Sequence, residues 1–447
     1  MELLIHGGTI LTMGPKGIIR DGAVAIEENC IIDVGKTANL KRKYPRYEKI
    51  DAKNKVVLPG FVNTHQHAGM SLLRGYADDL PLKQWLENKI WPLEKHMTSR
   101  DVYVGALLTA VESILGGTTT INTMYYYAEK ENEAKAFADV GVRGVVGYPY
   151  FSFGKEIKPR DFHSFAKNWH NKADGRIRVS VAPHAPYTVS PESLKKLREI
   201  TGELNQKYGS LTTPIMWHIH VAETEDEAEK IRDAFKISVR GGVVEYLDSL
   251  GVLGDDVLAV HCVSLTERDI QILKRKNVKV SHNPVSNLKL GSGVSPVPKL
   301  LEAGVTVGLG TDSSCSNNNA DMFQVMKVTA LLHKSVHNDP TLLPAEQVLR
   351  MATIDGAKAL LWDQEIGSIE TGKKADLVVV DFWKPHLCPV YNEGSHLVYA
   401  AGAADVDTVI INGNLVMENR KITTVDVDKV MNKARESKER LLARLHN

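Results

Sequence analysis

The chain has 447 residues, 43% of them hydrophobic and 24% charged, and Lys plus Arg (55) almost cancels Asp plus Glu (54). That balance excludes bulk electrostatic attraction to nucleic acid or an anionic membrane, so a small-molecule partner is expected. The four cysteines, Cys30, Cys262, Cys315 and Cys388, lie far apart and form no CxxC pair, which argues against a disulfide framework. No run approaches the ~20 apolar residues of a membrane span. The opening MELLIHGGTI is too short and too polar for the apolar core of a signal peptide. These features point to the cytoplasm.

Residues 1–58 read as short strands with turn punctuation: LLIHGGTIL breaks at Gly7-Gly8, and GAVAIEENCIIDVG turns at Glu28-Asn29. Next come eight apolar strand-like runs: VVLPGF, GTTTIN, VRGVVGYP, IRVSVAP, PIMWHIHVAE, VLAVHCV, VKVSHN and VTVGLGTD. Between them lie helical stretches such as SPESLKKLREITGELNQKYG, which carries a helix start signal and helical periodicity. Eight βα units predict an α/β chain with a (β/α)₈ TIM barrel over 59–362. ADLVVVDF (Ala375–Phe382) reads as a strand and DTVIINGNLVM as a hairpin turning at Asn412-Gly413. Residues 1–58 and 363–425 therefore pair into a small β-sandwich module built from both chain ends. The charged tail 426–447 reads as a helix packed on the surface. No linker, low-complexity stretch or internal repeat interrupts this plan.

A metal site in such a barrel must lie at the C-terminal ends of the strands, where the loops build it. The first strand ends in His65 and His67, one residue apart and so on one face. The fifth carries His218 and His220, the sixth His261, the seventh ends in His282, and the eighth in Asp312. A strand interior should be apolar, so this recurrence is no packing pattern, although each histidine alone reads as a hydrogen-bonded core residue. Three imidazoles and a carboxylate suit one Zn²⁺ per subunit with a place left for water, and Fe²⁺ or another divalent ion fits the same set. Glu223 lies three residues after His220 and could carry protons between water and substrate. Its neighbours in ETEDEAEK read as a solvated helix face.

These residues resemble the amidohydrolase superfamily: PGFVNTHQH, the HxxE of His220–Glu223, the sixth-strand His261 and GTDSS at Asp312. The resemblance spans nearly the whole chain, including ATIDGAKAL and GSIETGKKADLVVVD, the first of which continues as LLW where the family has LG. SNLKLGSGVSPVPKLLEAGVTVGLGTDSSCSNNNADMF, MSLLRGYADDLPLKQWLENKIWPLE and APHAPYTVSPE are most similar to its branch of methylthioadenosine/S-adenosylhomocysteine and 5′-deoxyadenosine deaminases. The resemblance implies a metal held by His65, His67, His220 and Asp312, with His261 bonded to its water or the oxyanion. Binuclear members carry a bridging lysine at the end of the fourth strand. Here VSVAPHAPY offers His184 instead, so one metal is implied.

The same resemblance implies a catalytic set of Glu223, His261 and Asp312. Asp312 would take a proton from water as hydroxide attacks C6 of an adenine ring, Glu223 would protonate N1 and help the amine leave, and His261 would stabilise the new oxygen. Glu94 is implied near the ribose hydroxyls and His184 near base or sugar. Arg143 matches an arginine near the substrate of relatives. A second arginine has no match in GYPYFSFGKEIKPR, which leaves open how the 5′-substituent is read. The bland alternatives are a helix-surface acid for Glu94 and barrel-rim support for Arg143. The expected activity is deamination of an adenosine-type nucleoside by a homo-oligomer. Guanine or another aminohydrolase chemistry, or s-triazine chlorohydrolysis, is the alternative on this scaffold, and a non-catalytic scaffold ranks last because every ligand position is filled.

Overall fold

The run VVLPGF, read as one strand, divides at Gly60 in the computed structural model of the chain, which describes residues 2–125, 131–152 and 156–446. Lys55–Pro59 joins the sheet of the chain ends, and Phe61–Gln66 opens the barrel. The reason is steric. A Cβ at residue 60 would lie 2.1 Å from Thr119 Cγ2, so only glycine lets the chain cross between the two sheets here. Its N–H donates to the Asp376 carbonyl at 3.0 Å, which ties the crossing to the C-terminal half of the module.

The barrel strands are β1 (Phe61–Gln66), β2 (Thr118–Met124), β3 (Arg143–Tyr150), β4 (Ile177–Pro183), β5 (Met216–Val221), β6 (Val257–His261), β7 (Lys279–His282) and β8 (Val307–Leu309). They are hydrogen-bonded in sequence order, and every pairing is parallel. Side chains help close the ring between β8 and β1: Thr311 N–H donates to Asn63 Oδ1 at 3.1 Å, and Asn63 Nδ2 donates to Thr311 Oγ1 at 2.7 Å. Asp312 N–H then donates to the His65 carbonyl at 3.0 Å. Several helices between the strands start on side-chain caps, one of them in the SPES segment read from the sequence. Ser190 caps Pro191–Tyr208 with proline in its first turn, and Thr98 with Asp101 forms a capping box on Ser99–Leu115. One apolar core fills the space between strands and helices.

The chain ends build one nine-stranded sheet, with Leu377–Asp381 lying antiparallel against Lys55–Pro59. A second apolar cluster covers one face of it, including Ile5, Val24, Val57, Val379 and Ile410. The Asn412-Gly413 turn joins Val406–Ile411 to Asn414–Glu418, with both turn residues at positive φ as a tight hairpin demands. Two sequence expectations need correction. Gly7-Gly8 does not break the first strand, which runs from Glu2 to Leu11 with register shifts there, a bulge rather than a turn. Residues 1–58 also contain a helix, Thr37–Lys43, whose single buried leucine, Leu40, is too little to show periodicity. The last helix, Val427–His446, packs beside Ser99–Leu115, and Arg444 bonds Asp101 and the His96 carbonyl. Among the described residues no helix is long and apolar enough to cross a membrane.

Gly60→Ala is expected to overpack this crossing and to destabilise the protein by roughly 1–3 kcal/mol. A lowered denaturation midpoint checks it.

Candidate functional site

Seven side chains of interest stand together at the C-terminal end of the barrel. β1 delivers His65 and His67, the loop after β4 His184, β5 His220 with Glu223 just beyond, β6 His261, and the loop after β8 Asp312. Nitrogens of His65, His220 and His261 approach one another within 4.8 Å, as do the ligand atoms of His65, His67 and Asp312. His65 and His67 place their Nε2 atoms 3.2 and 3.3 Å from Asp312 Oδ1. The chain turns left-handed at Ala222, His261 and Asp312, with φ of +51°, +73° and +60°. Non-glycine residues seldom adopt that conformation, and when they do it commonly marks a functional position.

Each ring is fixed through its far nitrogen. His67 Nδ1 lies 2.6 Å from the Met124 carbonyl and His220 Nδ1 2.7 Å from the His184 carbonyl, so in both rings Nδ1 carries the proton and Nε2 the lone pair. His261 Nδ1 meets Asn287 Oδ1 at 2.8 Å, and His65 Nδ1 meets His218 Nε2 at 3.0 Å. Burial drives the His65 pKa down to about 3, lowers His67, and holds His220 well below the ordinary imidazole value. Neutral imidazoles with inward lone pairs are what a cation requires. His65 Nε2 is buried without a hydrogen-bond partner, a further fit to a metal ligand.

Asp312 is acid-biased in the opposite sense. Burial opposes its ionisation, but the adjoining imidazoles, His65 foremost, hold it well below the carboxylate range. Ser286 Oγ (2.6 Å), Ser316 Oγ (3.1 Å) and the Ser313 N–H (2.7 Å) donate to it. Glu223 is buried, its pKa is raised chiefly by desolvation, and Oε2 lies 3.9 Å from His261 Nε2.

A pocket opens over these groups. Its apolar wall includes Trp85, Leu86, Ile90 and Trp91 from the segment after β1. Glu94 closes that segment. It is buried, not a surface acid, and accepts from Tyr125 Oη at 2.6 Å while desolvation pushes its pKa up to about 8. His184 stacks on Phe151 with ring centroids 4.4 Å apart.

The sequence reading left several neighbours without a role. His218 lies beneath His65, and His282 instead meets His333 at 3.3 Å. Ser286 and Asn287 sit on the short helix Pro284–Lys289; the motif SNLK contained them, but nothing in it showed that they turn inward. Glu227, placed in the solvated run ETEDEAEK, is fully buried. Of the stretch GYPYFSFGKEIKPR, residues 153–155 lie outside the described residues.

A model of the amidohydrolase family matches residues 56–416. The sequence is 45% identical over 446 residues, 99% of both chains, to the 5-methylthioadenosine/S-adenosylhomocysteine deaminase of Pelotomaculum thermopropionicum. It is 44% identical over 452 residues, 100% of both chains, to the 5′-deoxyadenosine deaminase of Methanosarcina mazei. The fold superposes on a zinc-bound adenosine deaminase from Xanthomonas campestris with a TM-score of 0.91 at 34% identity, covering 99% of both chains.

Arg143 is not brought to the site. It begins β3, at the opposite end of the barrel, where its guanidinium meets Asp376 at 2.7 and 2.9 Å and Asn412 Oδ1 at 3.2 Å. The reading of this arginine as support for the barrel, not as a substrate contact, is the one its position favours. Removing one partner of a buried ion pair costs roughly 3–5 kcal/mol. Arg143→Gln is therefore expected to lower the thermal unfolding midpoint while leaving the KM for substrate unchanged.

Proposed function

The chain belongs to the amidohydrolase family, and on that premise we propose that it is a metal-dependent hydrolytic deaminase of adenosine-type nucleosides. It converts the 6-amino group of 5′-methylthioadenosine, S-adenosylhomocysteine, 5′-deoxyadenosine or adenosine to the inosine analogue and releases ammonia. The observation that carries this reading is the meeting, in one cavity, of a neutral imidazole–carboxylate cluster with a buried glutamate outside it. Its similarity to deaminases of such nucleosides over the full length supports the same substrate class.

We assign His65, His67, His220 and Asp312 as the ligands of one divalent ion. Three nitrogens and one oxygen suit zinc, the ion bound in the Xanthomonas relative, and also admit Fe²⁺. When bound, the ion supplies Lewis acidity that brings the pKa of water from 15.7 towards ~7. Asp312 takes the proton of the attacking water, its carboxylate steadied by Ser286 and Ser316. Glu223 gives a proton to N1 of the ring as C6 is attacked. Its raised pKa keeps that proton available, and the same carboxyl then serves the departing amine. His261, anchored by Asn287, stabilises charge on the new C6 oxygen. Glu94 would hold the ribose hydroxyls and His184 would face base or sugar, a reading supported by their both lining the cavity, where His184 stacks on Phe151.

Zinc-loaded protein incubated with each of the four nucleosides is expected to show the adenine-to-hypoxanthine absorbance change with ammonia release on at least one. Silence on all four would retire the nucleoside reading while leaving the metallohydrolase one standing. Glu223→Gln is expected to keep its metal, read by elemental analysis, and to lose about 10²–10⁴-fold in kcat. A near-normal rate would remove Glu223 from the chemistry.

A further inference from the structure

The turn that carries Glu223 out of β5 is held by a second carboxylate. Glu227 opens the helix Glu227–Phe235, yet its side chain reaches back past the helix start. Oε1 accepts from the Ala222 N–H at 3.0 Å, and Oε2 from the Glu223 N–H at 2.8 Å. Glu227 is fully buried, so these are not solvent-screened contacts. Lys230, three residues on, is turned to Asp226 instead, at 2.8 Å.

The turn that these two bonds hold is a strained one. Ala222 sits at φ +51°, a conformation costing an L-residue roughly 1–2 kcal/mol. Its carbonyl is engaged by the Val263 and Ser264 N–H groups, both at 2.9 Å, which lock the turn to the loop after β6. That loop begins at His261, itself left-handed, whose Nε2 faces Glu223. The Glu227 carboxylate thus completes a bracket: His261 and Glu223 face each other because Ala222 is fixed between their strands. Without it, two buried N–H groups would lose their acceptors beside a strained residue, and the turn would be held from one side only.

We propose that Glu227 is the positioning residue for Glu223, pinning the Ala222–Glu223 turn so that the Glu223 carboxyl stays at the cavity wall facing His261. The inference rests on the reading of Glu223 as the proton carrier. A carboxylate fits the task better than an amide. It offers an acceptor to each of two adjacent N–H groups, whereas a glutamine can satisfy one and must present its own NH₂ to the other. Burial raises the Glu227 pKa to about 7 against the pull of the two N–H groups, so the ionised form dominates above neutral pH.

The test is a double-mutant cycle on the zinc-loaded enzyme above neutral pH, with Glu223→Gln, Glu227→Gln and the pair, reading kcat, KM and metal content. Glu227→Gln alone is expected to lower kcat at least about tenfold with KM and metal unchanged. In the Glu223→Gln background the same change should alter kcat by less than about twofold, because the residue it acts through is already gone. An equal loss in both backgrounds, or no loss in the parent enzyme, would overturn the proposal. Near-normal kcat for Glu223→Gln alone would instead remove the proton carrier, and Glu227 with it. Should Glu227→Gln fail to fold, Glu227→Asp enters the same cycle; it keeps the charge, reaches one methylene less far, and is expected to show the same background dependence.

Discussion

Imidazoles and a carboxylate can share a few ångströms of buried space only if each ring is neutral and each outer nitrogen is satisfied. That constraint organises the whole upper end of the barrel. The acceptors that meet it for His67 and His220 are backbone carbonyls, of Met124 at the end of β2 and of His184 after β4. They belong to strands next in the ring to β1 and β5, so the register of the sheet sets the tautomer of each ring. A slip of one residue between neighbouring strands would replace these acceptors and turn the lone pairs elsewhere.

The opposite end of the barrel bears the mechanical load. Arg143, at the start of β3, reaches Asp376 of the terminal module, whose carboxylate also accepts the Asn412 N–H at 2.7 Å. Gly60 donates to the carbonyl of the same Asp376. Asp376 therefore joins the barrel floor to the C-terminal half of the module and to the Gly60 crossing. The separation of duties is the usual one for such barrels, with stability at the N-terminal face and chemistry at the C-terminal face. It also explains why an arginine in a family-like stretch can lie far from any substrate.

The cavity is asymmetric in a way that suits a nucleoside. Its floor is polar, with His67, His220, Glu223, His261 and Asp312, whereas the wall after β1 is apolar and aromatic up to Glu94. That wall is not free-standing. Trp85, Ile90 and Leu93 pack in one cluster with Leu441 of the last helix, so the charged tail of the chain buttresses the site from behind. Inside this segment the helix widens to a π turn at Leu86–Ile90, a local departure often found beside functional residues.

The sequence by itself determined the order of elements, the barrel, the joining of the two chain ends and the residues of the strand-end cluster. Those properties are local: strands of period two, helix starts, and polar residues at the ends of apolar runs. Helix Thr37–Lys43 and the bulge at Gly7-Gly8 escaped because one buried leucine makes no period and a glycine pair signals a turn and a bulge alike. What only the tertiary structure decided is which polar side chains turn inward. Glu227 sits in an acidic run that any pattern assigns to solvent, yet the left-handed turn at Ala222 folds it beneath the site. Arg143 lies in a stretch that points to substrate, yet its place at the start of a parallel strand sends it to the other face. Burial of a charged group depends on the partners that meet it across the fold, and those partners, Asp376 for Arg143 and two backbone N–H groups for Glu227, become neighbours only when the ring of strands closes.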